Sequence, residues 1–125
     1  MPPPKILLID DDLRVRTAMV QFLADLGYHV VVADDGERGL RLFRSEKPDL
    51  VITDIIMPEK EGIQTIMEMR REQPSTKIIA VSGGGRIGNT DFLKVARSMG
   101  ANDVIAKPVD PDDFAARIKR CLSSV

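Results

Sequence analysis

Five short apolar runs, each followed by a segment with helical spacing, constrain this chain more than any other feature. The runs are Lys5–Ile9, His29–Ala33, Leu50–Thr53, Ile78–Val81 and Val104–Ala106. They are rich in Ile and Val and mostly unbroken, whereas a strand with one wet face alternates. Unbroken runs of this length suit strands covered on both faces, as in a parallel sheet.

The intervening segments carry a helical period. Val15, Met19, Phe22 and Leu26 fall on one face, and Gly27 sits where a left-handed C-cap is expected. Leu40 and Phe43 face inward from a second helix that ends before Pro48. Ile63, Ile66 and Met67 mark a third, stopped near Pro74, and Phe92, Val95, Ala96 and Met99 a fourth, followed by Gly100. Phe114, Ile118 and Leu122 mark a fifth. There Asp110 can cap, Pro111 fits the first turn, and Asp112 and Asp113 favour the positive end of the dipole. Strand–helix repeated five times, joined by right-handed crossovers, predicts a doubly wound α/β fold. The expectation is a five-stranded parallel sheet with helices on both faces, a (βα)5 three-layer sandwich forming one domain over residues 1–125. The glycine run Gly83–Gly85 reads as a loop within it.

Composition narrows the class. With 18 basic and 19 acidic residues the net charge is -1, which gives no bulk reason to expect nucleic acid or an anionic membrane as a partner. Cys121 is the sole cysteine, so no internal disulfide can form. The longest apolar run, Ile6–Ile9, is far too short to span a bilayer, and the proline-rich start lacks the apolar stretch of a secretion signal. A soluble cytoplasmic protein is expected.

Ligands of doubly wound sheets bind at the carboxyl ends of the strands, where the strand order reverses. The first strand ends in Asp10 and Asp11, the third in Asp54, the fourth in Ser82 and the fifth at Lys107. In the order 2-1-3-4-5, one of two common doubly wound orders, strands one and three are neighbours. Asp10, Asp11 and Asp54 would then converge, with Ser82 and Lys107 closing the pocket. Carboxylates so placed either retain protons or hold a cation. Oxygen ligands without His or Cys select a hard ion, and Mg2+ commonly takes one or two carboxylates, waters and a phosphate oxygen. A lysine and a hydroxyl can bind further phosphate oxygens, and a carboxylate can itself be the nucleophile.

Four stretches in order carry a family resemblance: ILLIDDD at Ile6–Asp12, PDLVITDIIMP at Pro48–Pro58, Ser82, and GANDVIAKP at Gly100–Pro108. Together they resemble the CheY-like receiver domains of bacterial two-component response regulators, across nearly the whole chain. The resemblance implies a flavodoxin-like sheet of order 2-1-3-4-5. It implies a phosphoacceptor at Asp54, and metal ligation by Asp10, Asp11, Asp54 and the backbone carbonyl of Ile56. It also implies a hydroxyl residue at Ser82 and a phosphate-pairing Lys107 before a cis bond to Pro108. The chain is then a signalling module and not an enzyme. It would receive a phosphoryl group from a sensor histidine kinase or phosphotransfer protein in a phosphorelay, and relay the signal by conformational change. The downstream partner or output domain stays unnamed. The expected signalling face comprises the fourth helix, fifth strand and fifth helix, with Arg86, Lys94 and Arg97 near it.

Three positions depart from the family pattern. The usual aromatic switch position holds Val104, so aromatic rotamer switching cannot operate in its usual form. Glycines after Ser82 and at Gly88 lengthen the following loop, which is expected to order on phosphorylation. Ile56 and Gly84 flank the path of attacking water, and an apolar Ile56 cannot orient it, so a long-lived phosphoryl group is expected.

Plainer readings stand beside these. Asp12 reads as a helix cap, His29 as a surface or strand-edge residue, Cys121 as part of an apolar helix face, and Met57, Met67 and Met69 as packing residues. A phosphatase of the haloacid dehalogenase type wants a second acid two residues after its nucleophile, where this chain has Ile56. A flavodoxin-like cofactor binder shares the topology but wants a phosphate loop where this chain has Asp10–Asp12. A scaffold that is never phosphorylated is the third alternative.

Overall fold

The computed structural model describes residues 2–55, 61–82, 94 and 97–123. Its strands are β1 (Lys5–Ile9), β2 (His29–Ala33), β3 (Leu50–Asp54), β4 (Lys77–Ser82) and β5 (Asp103–Ala106). All pair in parallel, in the order β2-β1-β3-β4-β5. Every expected strand is present, with β3, β4 and β5 extended at an end by a polar or charged residue. The delimited helices are α1 (Leu13–Asp25), α2 (Gly36–Glu46), α3 (Glu61–Glu72) and α4 (Pro111–Ser123). The helix expected over Phe92–Met99 falls largely outside the described residues. Lys94, Arg97 and Ser98 are helical, and Ser98 Oγ donates to the Lys94 carbonyl at 3.0 Å. The Gly83–Gly85 loop also lies outside the described residues.

The unbroken apolar runs have a direct structural cause. Successive strand residues feed opposite cores. Leu7, Ile9, Val51, Ile78 and Ala80 pack with Phe43 of α2 and with Ile66 and Met69 of α3. Ile6, Leu8, Leu50, Ile52, Ile79 and Val81 pack with Leu23 of α1 and with Phe114, Ile118 and Cys121 of α4. Burying one such aliphatic side chain contributes about 1.5–3 kcal/mol, so neither face can turn polar without a large loss.

Local signals set the helix ends. Asp12 Oδ1 accepts from the Arg14 amide at 2.9 Å and caps α1. Gly27 leaves the helix at φ +95°, donating to the Ala24 carbonyl at 2.9 Å. Asp110 Oδ2 accepts from the Asp113 amide at 2.9 Å and caps α4, as its sequence suggests. Asp35, not singled out above, caps α2 through the Arg38 amide at 2.8 Å.

Two packing expectations need correction. Leu26 is 44% exposed, because α1 has already ended and the residue is its C-cap; Leu23 is the fully buried residue of that helix. Met67 is 39% exposed on the outer side of α3, whose buried positions go to Ile66 and Met69. Met57 lies outside the described residues.

The far end of the sheet is held by Arg70. Its guanidinium donates to the carbonyls of Thr76 at 2.6 Å, Gly100 at 2.7 Å and Pro74 at 2.8 Å, and to Asn102 Oδ1 at 2.8 Å. Partial burial lowers its pKa from the ordinary arginine value. Among the described residues, no helix is long and apolar enough to cross a membrane.

Candidate functional site

Sheet register decides which polar residues meet. Ile9 pairs with Thr53, so one further step brings Asp10 and Asp54 side by side. Asp54 pairs with Val81 and Ser82 with Ala106, which sets Ser82 and Lys107 at the next strand ends. The Lys107 amide donates to the Ser82 carbonyl at 2.8 Å, and the Lys107–Pro108 bond is cis.

Carboxylate oxygens of Asp10, Asp11 and Asp54 lie within 4.8 Å of one another. Lys107 Nζ stands 3.4 Å from Asp10 Oδ2 and 3.4 Å from Asp54 Oδ2. Asp10 and Asp54 are only 2% and 7% exposed, while Asp11 reaches solvent. At an effective dielectric near 20, each carboxylate pair at that outer separation repels by about 3.5 kcal/mol and each lysine contact attracts by about 5 kcal/mol. One lysine therefore only roughly offsets three acids, before the cost of burying two of them. The cluster contains oxygen ligands only, without His or Cys, so its chemistry fits a hard divalent cation such as Mg2+.

Neighbouring contacts hold the acids in place. Asp10 Oδ1 accepts from the Asp12 amide at 2.9 Å, and its carbonyl accepts from Arg16 Nη1 at 2.8 Å. Thr53 Oγ1 donates to the Asp54 carbonyl at 3.1 Å. A Cβ on Gly62 would lie 2.5 Å from that carbonyl oxygen and 2.6 Å from Ile55 Cα, so α3 can approach β3 only with glycine there. Sequence reasoning missed Arg16 and Gly62. An isolated glycine near a helix start was the available signal for Gly62; nothing local marks Arg16.

The remaining candidates divide simply. Ser82 is buried at the end of β4. Ile56, Gly84, Arg86 and Gly88 lie outside the described residues. Val104 is buried in the core on the α2–α3 face. Lys94 and Arg97 are exposed. His29 is exposed on the edge strand, and Cys121 is buried with its thiol pKa raised, first by burial and then by nearby Asp103.

Comparison with known proteins agrees with this geometry. Residues 6–119 match the family model described as response regulator receiver domain. The "Probable transcriptional regulator ycf27" of Guillardia theta is 36% identical over 118 residues, which is 94% of this chain and 45% of that protein. PhoP of Bacillus subtilis (strain 168), an alkaline phosphatase synthesis transcriptional regulatory protein, is 33% identical over 119 residues, 94% of this chain and 48% of that one. The chain thus spans about half the length of these curated relatives. A CheY-like receiver domain protein from Methanospirillum hungatei JF-1 superposes with a TM-score of 0.87 at 30% identity, covering 96% of this chain and 94% of that one. Matched in sequence, strand order and shape over nearly its full length, the chain belongs to the response regulator receiver domains of two-component systems.

Proposed function

We propose that Asp54 is the phosphoacceptor of this receiver. The observation that carries the reading is the convergence of Asp10, Asp11 and Asp54 around Lys107 at the strand ends. An Asp54 carboxylate oxygen attacks the phosphorus of a phosphohistidine on a sensor kinase or phosphotransfer protein. The O–P bond forms as the N–P bond breaks, and the electron pair stays on the imidazole nitrogen. Lys107 offers a point charge to one phosphoryl oxygen, and the Ser82 hydroxyl donates to another. Mg2+ held by Asp10, Asp11, Asp54 and the Ile56 carbonyl supplies charge neutralisation when bound. The chain's own contribution is positioning: strand register aligns the groups, and Gly62 and Arg16 fix the backbone behind them.

We infer one receiver unit over residues 1–125, in keeping with the shared sheet. It is a switch and not an enzyme, working in the cytoplasm, a compartment that a lone cysteine suits. Its relatives named as transcriptional regulators support an output carried by other residues or by a partner, gated by the phosphorylation state of Asp54. The test is intact mass after treatment with acetyl phosphate and magnesium. A gain of one phosphate, absent in Asp54→Ala and without magnesium, is expected. No gain in the parent protein would favour the unphosphorylated scaffold.

A further inference from the structure

A second charged feature lies at the carboxyl end of edge strand β2, where α1 and α2 flank the sheet. It is a cleft of about 510 Å³ with an apolar floor of Val32 and Leu42. Arg16 of α1 lines it from one side, Arg38 and Arg41 of α2 from the other, and Asp34 is the single acid. That volume is in the range of small-molecule sites. Val32 is 44% exposed, the one large hydrophobic of the described strands that is left open to solvent.

Among the described residues, Asp34 is the one carboxylate paired with any of the three arginines. Arg38 Nε is 3.6 Å from Asp34 Oδ1, a loose and exposed pair. Arg16 spends one N–H on the Asp10 carbonyl, a neutral acceptor, and makes no ion pair with any described residue. Arg41 makes no ion pair with any described residue. Three arginines against one carboxylate, lining a single cleft together with apolar Val32 and Leu42, have the character of a receptor for adjacent phosphates. The planar fork of arginine matches phosphate oxygens two at a time, and the floor can take the face of an attached apolar or aromatic body.

We propose that this cleft binds a small organic diphosphate, of the chemical class to which nucleotides belong. The site is distinct from the acidic pocket, which repels anions in the absence of a cation, and the proposal does not rest on the role of Asp54. Because Arg16 also holds the Asp10 carbonyl, an occupant that draws on Arg16 touches the backbone of the acidic site. The cleft is thus a place where a metabolite can bias the receiver.

The test is titration calorimetry of the whole chain with inorganic pyrophosphate and with adenosine diphosphate, in the presence of a chelator so that no cation bridges phosphate to the aspartates. Saturable binding that weakens as salt is raised is expected, tighter for the nucleotide than for pyrophosphate. The double variant Arg38→Glu, Arg41→Glu should bind at least about tenfold more weakly. Both side chains are exposed, and an unchanged melting temperature confirms that the variant folds. Asp34→Asn, which frees Arg38, should bind more tightly, and Asp54→Ala should bind unchanged. No saturable binding of either probe overturns the proposal, as does binding indifferent to the arginine substitutions. Binding of oligoglutamate but of neither phosphate probe would also overturn it, in favour of an acidic protein partner.

Discussion

Asp54→Asn should make the metal-free protein more stable. The substitution removes two repulsions, each at least about 3.5 kcal/mol at an effective dielectric near 20, from carboxylates within 4.8 Å. It also removes the attraction to Lys107 at 3.4 Å, about 5 kcal/mol on the same scale. The balance favours the amide by about 2 kcal/mol, and relief from burying a charge acts in the same direction. For a domain of this size that corresponds to a rise in Tm of roughly 6–10 °C. Thermal melts followed by circular dichroism in chelator measure it. Magnesium should reverse the order, because a ligand at 100 times its Kd adds about 2.7 kcal/mol to the parent, whereas the variant has lost an acid from the cluster. Lys107→Met should move the metal-free melt the other way, by leaving the acids without their cation. An Asp54→Asn protein that melts at or below the parent in chelator refutes the reasoning: the acids would then not be in net repulsion.

Other consequences are local. Arg70→Ala should lower stability by about 1–3 kcal/mol in urea titrations, since four short charge-assisted bonds go and the half-buried carbonyls of Thr76 and Gly100 lose their donor; Arg70→Lys should not rescue, because one ammonium cannot span the same acceptors. Gly62→Ala should cost about 1–3 kcal/mol and weaken magnesium binding, as the new Cβ pushes on the Asp54 carbonyl. The Arg44 hydrogen bond holds Glu72 below its ordinary pKa. Its stabilising contribution is therefore complete above the ordinary glutamate value and fades as pH falls through the lowered one. Urea midpoints of the parent and Arg44→Ala should differ at neutral pH and converge in acid.

The fold was legible because each strand carries its burial in its composition. A run such as Leu7–Leu8–Ile9 stays apolar at every position only if both faces are covered, and that requirement already implies helices on both sides. The acids were legible for a related reason: Asp10, Asp54 and Ser82 interrupt or end such runs, and polar residues there need a ligand or a partner. What escaped was set by distant geometry. Arg16 looks like any exposed helical arginine until β1 places a carbonyl against it, and Gly62 looks like a weak helix residue until β3 passes beneath it. Leu26 and Met67 failed as core residues because periodicity gives a face but not where the helix stops or how wide the buried stripe is. Arg70 carries no local signal that names its role, since its acceptors lie on two backbone segments, 73–76 and 100–102, that only the fold brings together.

Arg16 gives the two charged features a shared mechanical element. It starts from the first turns of α1, crosses to the Asp10 carbonyl at 2.8 Å, and borders the cleft at the end of β2. Asp10 is in turn fixed through its amide to the Ala33 carbonyl at 3.2 Å and through Oδ1 to the Asp12 amide at 2.9 Å. A displacement of Arg16 therefore acts on a residue whose side chain belongs to the acidic cluster and whose amide belongs to the β1–β2 seam. At the far end of the sheet, by contrast, Arg70 donates to neutral acceptors. At the carboxyl ends of the strands, where three acids face one lysine, a small change in charge can shift the balance of the site while the two apolar cores keep the sheet itself unchanged.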